Sequence, residues 1–170
     1  MLSHEKVLVG MSGGVDSTIT TLLLKEEGYE VEGLYMKLHS KPGYHEIHQA
    51  RAQKAADKLG VKLHVLDLQE RFKEEVFQPF IDTYEKGETP NPCALCNRTM
   101  KFGEMIDFAD KVGAAYLATG HYIQTDGEYF YQAEDDTKDQ SYFLFYVNKD
   151  ALPRLKFPLG EKHKKDIKKM

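Results

Sequence analysis

The feature that most constrains this chain is a junction near its beginning. Lys6-Val-Leu-Val-Gly-Met11 reads as a short buried strand, Ser12-Gly-Gly-Val-Asp-Ser17 follows, and helical spacing over Val15–Glu27 places Ile19, Leu22 and Leu23 on one side. Gly28 is positioned to stop that helix. The spacing predicts a second strand over Glu30–Met36, a polar loop around His39–Tyr44, a helix over His45–Leu59 ended by Gly60, and a third strand over Val61–Leu66. Strand–helix alternation in units of roughly 30 residues demands right-handed parallel crossovers. The fold class is α/β, an open doubly wound parallel sheet.

Beyond Asp67 a helical stretch runs towards Lys86, with Pro79 expected to kink it. Gly87-Glu-Thr-Pro-Asn-Pro92 is turn-rich, and helical periodicity resumes near Asn97 and runs to Val112. Ala115–Thr119 is a fourth strand ending at Gly120-His121. Asp126-Gly127, flanked by Tyr122–Thr125 and Tyr129–Gln132, signals a hairpin. The aromatic run Tyr142–Tyr146 suits a buried element and equally suits rings that stack bases. From Gly160 to Met170 the pattern is that of a helix beginning with no stop and little apolar surface to dock it, so a longer protein is expected.

Composition narrows the class. At 41% hydrophobic and 29% charged residues the chain is neither wholly disordered nor membrane-embedded. No apolar run reaches the ~18 residues of a membrane span, and Met1–Lys6 shows no secretory signal; a soluble, cytoplasmic chain with no membrane partner is expected. The net charge of −4 argues against a nucleic-acid coat protein. Asp150–Met170 nevertheless carries seven Lys/Arg against three acids, either a solvated face or a polyanion-binding tail. The two cysteines, Cys93 and Cys96, are too few to staple a scaffold, and their spacing suggests redox, sulfur or metal chemistry. A structural zinc needs four ligands; His39, His45 and His48 belong to another loop and are expected at the surface.

The loop after the first strand has its own chemistry. Backbone donors at a helix N-terminus are unpaired, and the dipole there favours an anion. Gly13 and Gly14 let the chain turn with φ > 0 and bring N–H groups against phosphate oxygens. Ser12 and Ser17 add hydroxyl donors, and Asp16 is a candidate ligand for a magnesium ion on a polyphosphate. The loop lacks the Lys-Ser/Thr ending of a Walker A motif, so γ-phosphate transfer is not its natural use.

Ser12-Gly-Gly-Val-Asp-Ser17 resembles the signature of the PP-loop ATP pyrophosphatases. The resemblance implies an adenine nucleotide alpha-hydrolase-like fold, ATP cleavage between the α and β phosphates, and adenylation of a substrate oxygen. Five further segments are similar to the tRNA-specific 2-thiouridylases: Val31-Glu-Gly-Leu-Tyr-Met36, Gly87-Glu-Thr-Pro-Asn-Pro-Cys-Ala-Leu-Cys-Asn-Arg98 with Met100-Lys-Phe102, Ala118-Thr-Gly-His-Tyr122, Lys138-Asp-Gln-Ser-Tyr-Phe-Leu144 and Phe157-Pro-Leu-Gly160. They run in order along essentially the whole chain.

That second resemblance implies sulfur insertion at C2 of the wobble uridine of tRNA, with ATP and magnesium as cofactors and a persulfide sulfur-donor protein as partner. It implies ATP contacts from Gly10, Met11, Ser12, Gly13, Gly14, Val15, Asp16 and Ser17, from Met36 and from Gly120. Cys96 is then the catalytic nucleophile, Asn91, Pro92 and Cys93 face the target base, and Lys138, Asp139 and Gln140 contact tRNA. Residues 1–158 are expected to form the PP-loop nucleotide-binding catalytic domain and 159–170 the start of a following segment. Many relatives carry Asp in place of Cys93. The family's second cysteine, joined to Cys96 as a disulfide after sulfur release, lies in a later segment than this chain contains, so the chain alone is expected to bind nucleotide without completing sulfur transfer. A thiolate is the reactive form, so Cys96 is expected to have a depressed pKa, drawn from the helix start and Arg98 or Lys101. His121 either faces the nucleotide or is a satisfied structural histidine. The alternatives are another adenylating PP-loop enzyme, such as a tRNA lysidine synthetase or an amidating synthetase, and a nucleotide- or tRNA-binding module without catalysis.

Overall fold

The computed structural model describes residues 5–170. The chain begins with β1 (Lys6–Gly10), α1 (Val15–Glu26), β2 (Glu30–Lys37), α2 (Tyr44–Leu59) and β3 (Lys62–Asp67). A continuous helical run follows: α3 (Gln69–Phe72), a π-helical turn over Lys73–Phe77, and α4 (Gln78–Glu85). A second run comprises α5 (Pro92–Cys96), a π-helical stretch over Asn97–Glu104, and α6 (Met105–Lys111). Then come β4 (Tyr116–Ala118), a hairpin of β5 (Gln124–Thr125) and β6 (Phe130–Tyr131), β7 (Leu155–Lys156) and α7 (Lys164–Ile167).

Five strands form one parallel sheet in the order β3-β2-β1-β4-β7. Side chains alternate across it, as a strand requires. Val7 and Val9 pack with Leu24 of α1 and Ala52 and Ala56 of α2. Leu8 faces the other way, against Met105 and Ala109 of α6 and Leu144. Both faces are covered, which is the doubly wound arrangement the sequence predicts.

Several local expectations are corrected. At Pro79 the backbone stays helical; the turn ahead of it, Lys73–Phe77, widens to π geometry, which relieves the clash a proline ring makes with the preceding turn. The second helical run starts at Pro92 instead of Asn97, because Asn91 Oδ1 accepts the Ala94 N–H at 3.0 Å and Pro92 needs no donor at the first helical position. The hairpin closes through Asp126–Tyr129 rather than a two-residue turn, with Asp126 Oδ1 accepting the N–H groups of Glu128 and Tyr129 at 2.8 Å each. In the aromatic run only Leu144 is fully buried, while Tyr142, Phe145 and Tyr146 are exposed. The tail does have apolar surface to dock with: Ile167 is buried beside Leu159 and Ile19, against Leu22 and Leu23 of α1.

Candidate active site

β1 and β4 are neighbours in the sheet, yet the connections leaving β1 and entering β4 lie on opposite faces. Such a switch point is where open α/β sheets hold ligands. A cleft of about 440 Å³ opens there, and Gly10, Met11, Ser12, Asp16 and Ser17 line it together with Gly120.

The loop's shape follows from its residues. Gly13 has φ +83°, and a Cβ there would lie 2.9 Å from the His48 carbonyl oxygen and from Arg51 Cβ, so the loop leans directly on α2. Gly14 does not share that conformation, contrary to expectation: it is extended, at φ −91° and ψ 171°, and precedes α1 with no side-chain cap on the helix N–H groups. Ser17 Oγ accepts from Ser12 N at 3.2 Å and Ser12 Oγ accepts from Gly14 N at 3.4 Å, so the two hydroxyls brace the turn. Val15 opens the helix half-exposed. A Cβ on Gly120 would come within 3.0 Å of the Asp16 carbonyl carbon, which is how closely the exit of β4 approaches the start of α1.

Asp16 sits at the centre of a charge cluster. Its Oδ1 accepts from Tyr122 Oη at 2.8 Å and pairs with the Lys164 ammonium of α7. Lys164 is set in place through its own N–H, which donates to Asp135 Oδ2 at 2.9 Å. Burial and the Asp16 carboxylate push the Tyr122 phenol above its ordinary range, so it stays a donor. Sequence reasoning missed Lys164 and Asp135. In a lysine-rich tail, one ammonium that points inwards looks like its neighbours; the only local signal was Ile167, three residues on.

An aromatic wall faces the loop. His45 Nε2 lies 2.6 Å from the His39 carbonyl oxygen, an acceptor only, so Nε2 carries the proton and Nδ1 accepts from Tyr35 Oη at 2.9 Å. His45 is therefore buried and satisfied, not a surface residue, and His39 stacks on it at 4.8 Å. Burial, helped by His45 and Lys41, holds the His39 imidazole below its ordinary pKa. Across the cleft His121 Nδ1 is 2.7 Å from Thr119 Oγ1, and burial together with Lys101 presses this imidazole down to about 3. Met36 and Gln140 also line the cleft.

Cys93 on the first turn of α5 and Cys96 at the end of that helix are free thiols, Cys93 exposed and Cys96 half-buried. Cys96 packs into the apolar cluster of Leu68, Val76 and Met100, which Met36 also touches. The expected depression of its pKa is not found: burial pushes the thiol up, and Lys101 only partly opposes this. Arg98 is not available to Cys96, because its guanidinium lies 4.2 Å over the Tyr146 ring. Asn97 is buried, its Nδ2 donating to the Phe143 carbonyl at 3.2 Å.

The remaining predicted site residues divide. Asn91 is engaged as the cap of α5 and Pro92 opens that helix. Asp139 accepts from Ala133 N at 2.9 Å and Ser141 Oγ at 2.6 Å, so its carboxylate shapes its own loop. Gln140 Oε1 accepts from Tyr122 N at 3.0 Å, and Lys138 is exposed. The cleft thus gathers most of the loop with Met36, Gly120 and Gln140; Cys96 shares an apolar cluster with Met36 without lining the cleft, and Asn91, Pro92, Cys93, Lys138 and Asp139 also lie outside its lining. Among the described residues no group of three or more His, Cys, Asp or Glu is arranged to hold a metal ion, and no helix is long and apolar enough to cross a membrane.

Comparison with known proteins gives this geometry a family. The chain is 74% identical over 166 residues to a tRNA-specific 2-thiouridylase MnmA of Sulfurimonas denitrificans, covering 98% of this chain and 49% of the relative. It is 54% identical over 165 residues to one of Nitratiruptor, again 97% against 49%. The chain therefore spans about half the length of the curated relatives it matches. A solved structure of a "predicted subunit of tRNA methyltransferase" from Methanocaldococcus jannaschii superposes with a TM-score of 0.61 at 20% identity, covering 97% of this chain and 73% of that one. A glutamine-dependent NAD+ synthetase of Acinetobacter baumannii gives 0.50 at 18% identity over 69% of this chain and 22% of its own. These likenesses show the fold, the adenine nucleotide alpha-hydrolase-like arrangement of parallel strands and flanking helices. The family described as tRNA methyl transferase HUP domain matches residues 5–170, every element of the cleft included, and the chain belongs to it.

Proposed function

We propose that this chain is the nucleotide-activating part of an ATP-dependent tRNA 2-thiouridylase, a tRNA sulfurtransferase. The observation that carries the reading is the switch-point cleft, in which the Ser12–Ser17 loop, the uncapped start of α1 and Gly120 converge while Met36 joins the cleft to the packing around Cys96. The names of relatives 54% to 74% identical support the substrate class.

In this mechanism the nucleotide's polyphosphate lies against the loop N–H groups and the first turn of α1, where the helix dipole favours negative charge. Lys164 and Lys101 add cationic charge, and the neutral wall of Met36, Tyr35 and His39 takes the adenine. Oxygen O2 of the tRNA uridine attacks the α-phosphorus; that bond forms as the bridge to the β-phosphate breaks and pyrophosphate leaves. The loop amides stabilise the leaving charge. A sulfur atom then adds at C2, and O2 departs as AMP. A persulfide from a sulfur-donor protein, carried on the family's second cysteine, supplies that sulfur. Cys96 attacks the inner persulfide sulfur, the S–S bond breaks, the outer sulfur stays on C2, and the two cysteines are left as a disulfide.

Asp16 offers one carboxylate, shared at Oδ1 with Lys164 and Tyr122. That suits a magnesium ion arriving on the triphosphate rather than one caged by protein, since Mg²⁺ keeps several waters and takes one or two carboxylates beside phosphates. Bound there, it neutralises phosphate charge. Exposed Lys138 reaches the tRNA backbone, and Asn91, Pro92 and Cys93 present the helix start to the target base.

Calorimetric titration of the chain with ATP tests the reading. ATP binds, and Gly13→Ala, which strains the loop and collides with His48, weakens binding by at least about tenfold. Absence of heat with adenine nucleotides overturns it. In the thiolating protein, Cys96→Ser retains ATP binding and loses thiolation; undiminished thiolation overturns the sulfur assignment.

A further inference from the structure

Cys93 is left without chemistry by this scheme, although its position is unusual. It lies one turn before Cys96 on α5, exposed where Cys96 is half-buried. Residues three apart on a helix share a face, with Cβ atoms about 5–6 Å apart. Cys96 is close enough to feel the charge of Cys93, which counts among the groups that raise its pKa. A disulfide needs the Cβ atoms about 1–2 Å nearer than that helical spacing leaves them. The first turn of α5 can yield that distance. Pro92 has no N–H to donate there, and the long Leu95 N to Asn91 O bond of 3.3 Å is the backbone link the movement loosens. Beyond Cys96 the helix is already widened to π geometry over Asn97–Glu104, so the turn is not held rigidly from either side.

We propose that Cys93 is the resolving thiol for Cys96, displacing by intramolecular thiol–disulfide exchange whatever sulfur partner is left bound to the Cys96 Sγ. This rests on the reading that Cys96 takes part in sulfur transfer. The Cys93 thiolate attacks the Cys96 Sγ, and a Cys93–Cys96 bond forms. The bond from Cys96 to the partner sulfur breaks, and the partner leaves as a thiolate carrying the electron pair. No net oxidation occurs in that step. A dithiol reductant then returns two electrons and two protons to the exposed pair. A half-buried nucleophile that ends each cycle in a disulfide is thereby cleared by a neighbour that solvent and reductant can reach.

The test uses the 170-residue chain, whose two cysteines are Cys93 and Cys96, loaded with glutathione disulfide and followed by intact-mass spectrometry and peptide mapping. In the wild type the glutathione adduct that peptide mapping places on Cys96 decays to an internal disulfide, with a first-order rate independent of protein concentration. In Cys93→Ser, where only Cys96 can be loaded, the adduct persists at least about tenfold longer. A wild-type adduct as long-lived as that of Cys93→Ser, or one that decays only by forming dimers, overturns the proposal; the wild-type measurement alone decides if the variant misfolds. The assay needs neither ATP nor tRNA. A chain that exchanges but binds no ATP overturns the adenylation reading and leaves this one standing, and a chain that binds ATP but holds its adduct does the reverse.

Discussion

At Cys96 two effects compete, and the balance runs against what a motif alone suggests. A cysteine near a helix start and close to cationic residues reads as a thiolate, but the apolar cluster around it raises the cost of charge more than Lys101 lowers it. A raised pKa keeps the thiol neutral at neutral pH and makes its reactivity climb only as the solution becomes alkaline. Iodoacetamide labelling followed by peptide mapping is therefore expected to modify exposed Cys93 faster than Cys96 at neutral pH, with the gap narrowing in alkali; faster labelling of Cys96 at neutral pH contradicts this account. The identity of the thiol was legible in the sequence, and its burial was not. Burial comes from Leu68, Val76 and Met100, residues on other turns and other elements, and no local pattern announces their meeting. The same reason hid Lys164, whose inward direction depends on Asp135.

Elements were legible wherever period and punctuation agreed. The first three strands and the two helices between them fall within a residue or two of expectation, because their apolar spacing is bounded by Gly28, Gly43 and Gly60. Element β7 was missed: Leu155 and Lys156 are two residues between Pro153 and Pro158, too short for any alternation. Between elements, one charge network crosses three strands. Glu32 of β2 accepts from Lys6 Nζ of β1 at 2.9 Å and from His64 Nε2 of β3 at 2.5 Å. Burial works to raise the Glu32 pKa, yet the hydrogen bonds from His64 and Lys6 outweigh it and the net shift is downward. A depressed carboxylate contributes stability above its unfolded pKa and loses it as pH falls through the folded one. Glu32→Gln is expected to lower the melting midpoint by a few degrees near neutrality and to flatten the loss of stability in acid, read by thermal melts across pH. Equal acid limbs in both proteins refute the role.

For the whole molecule, the decisive property is that residues far apart in sequence converge on one loop. Asp16 meets Tyr122 and Lys164, and Gly120 touches the start of α1. The docking of α7 through Ile167 acts with the Asp135 bond to hold Lys164 there, so Ile167→Ala is expected to cost about 2–4 kcal/mol in a urea melt and also to weaken ATP binding. Destabilisation with unchanged nucleotide affinity separates the docking from the site. The α/β class and the switch-point cleft were readable because crossover handedness and strand alternation leave few topologies. Strand order has a further consequence, for synthesis. Strand β1 leaves the ribosome first but occupies the centre of the sheet: β2 covers one of its edges early, while the other waits for Tyr116–Ala118. Throughout that interval a nascent Val7-Leu8-Val9 presents bare amides and carbonyls to every neighbouring polypeptide, which makes the slowest-arriving neighbour, rather than the weakest contact, the point at which production of this fold is most exposed to aggregation and most dependent on chaperones.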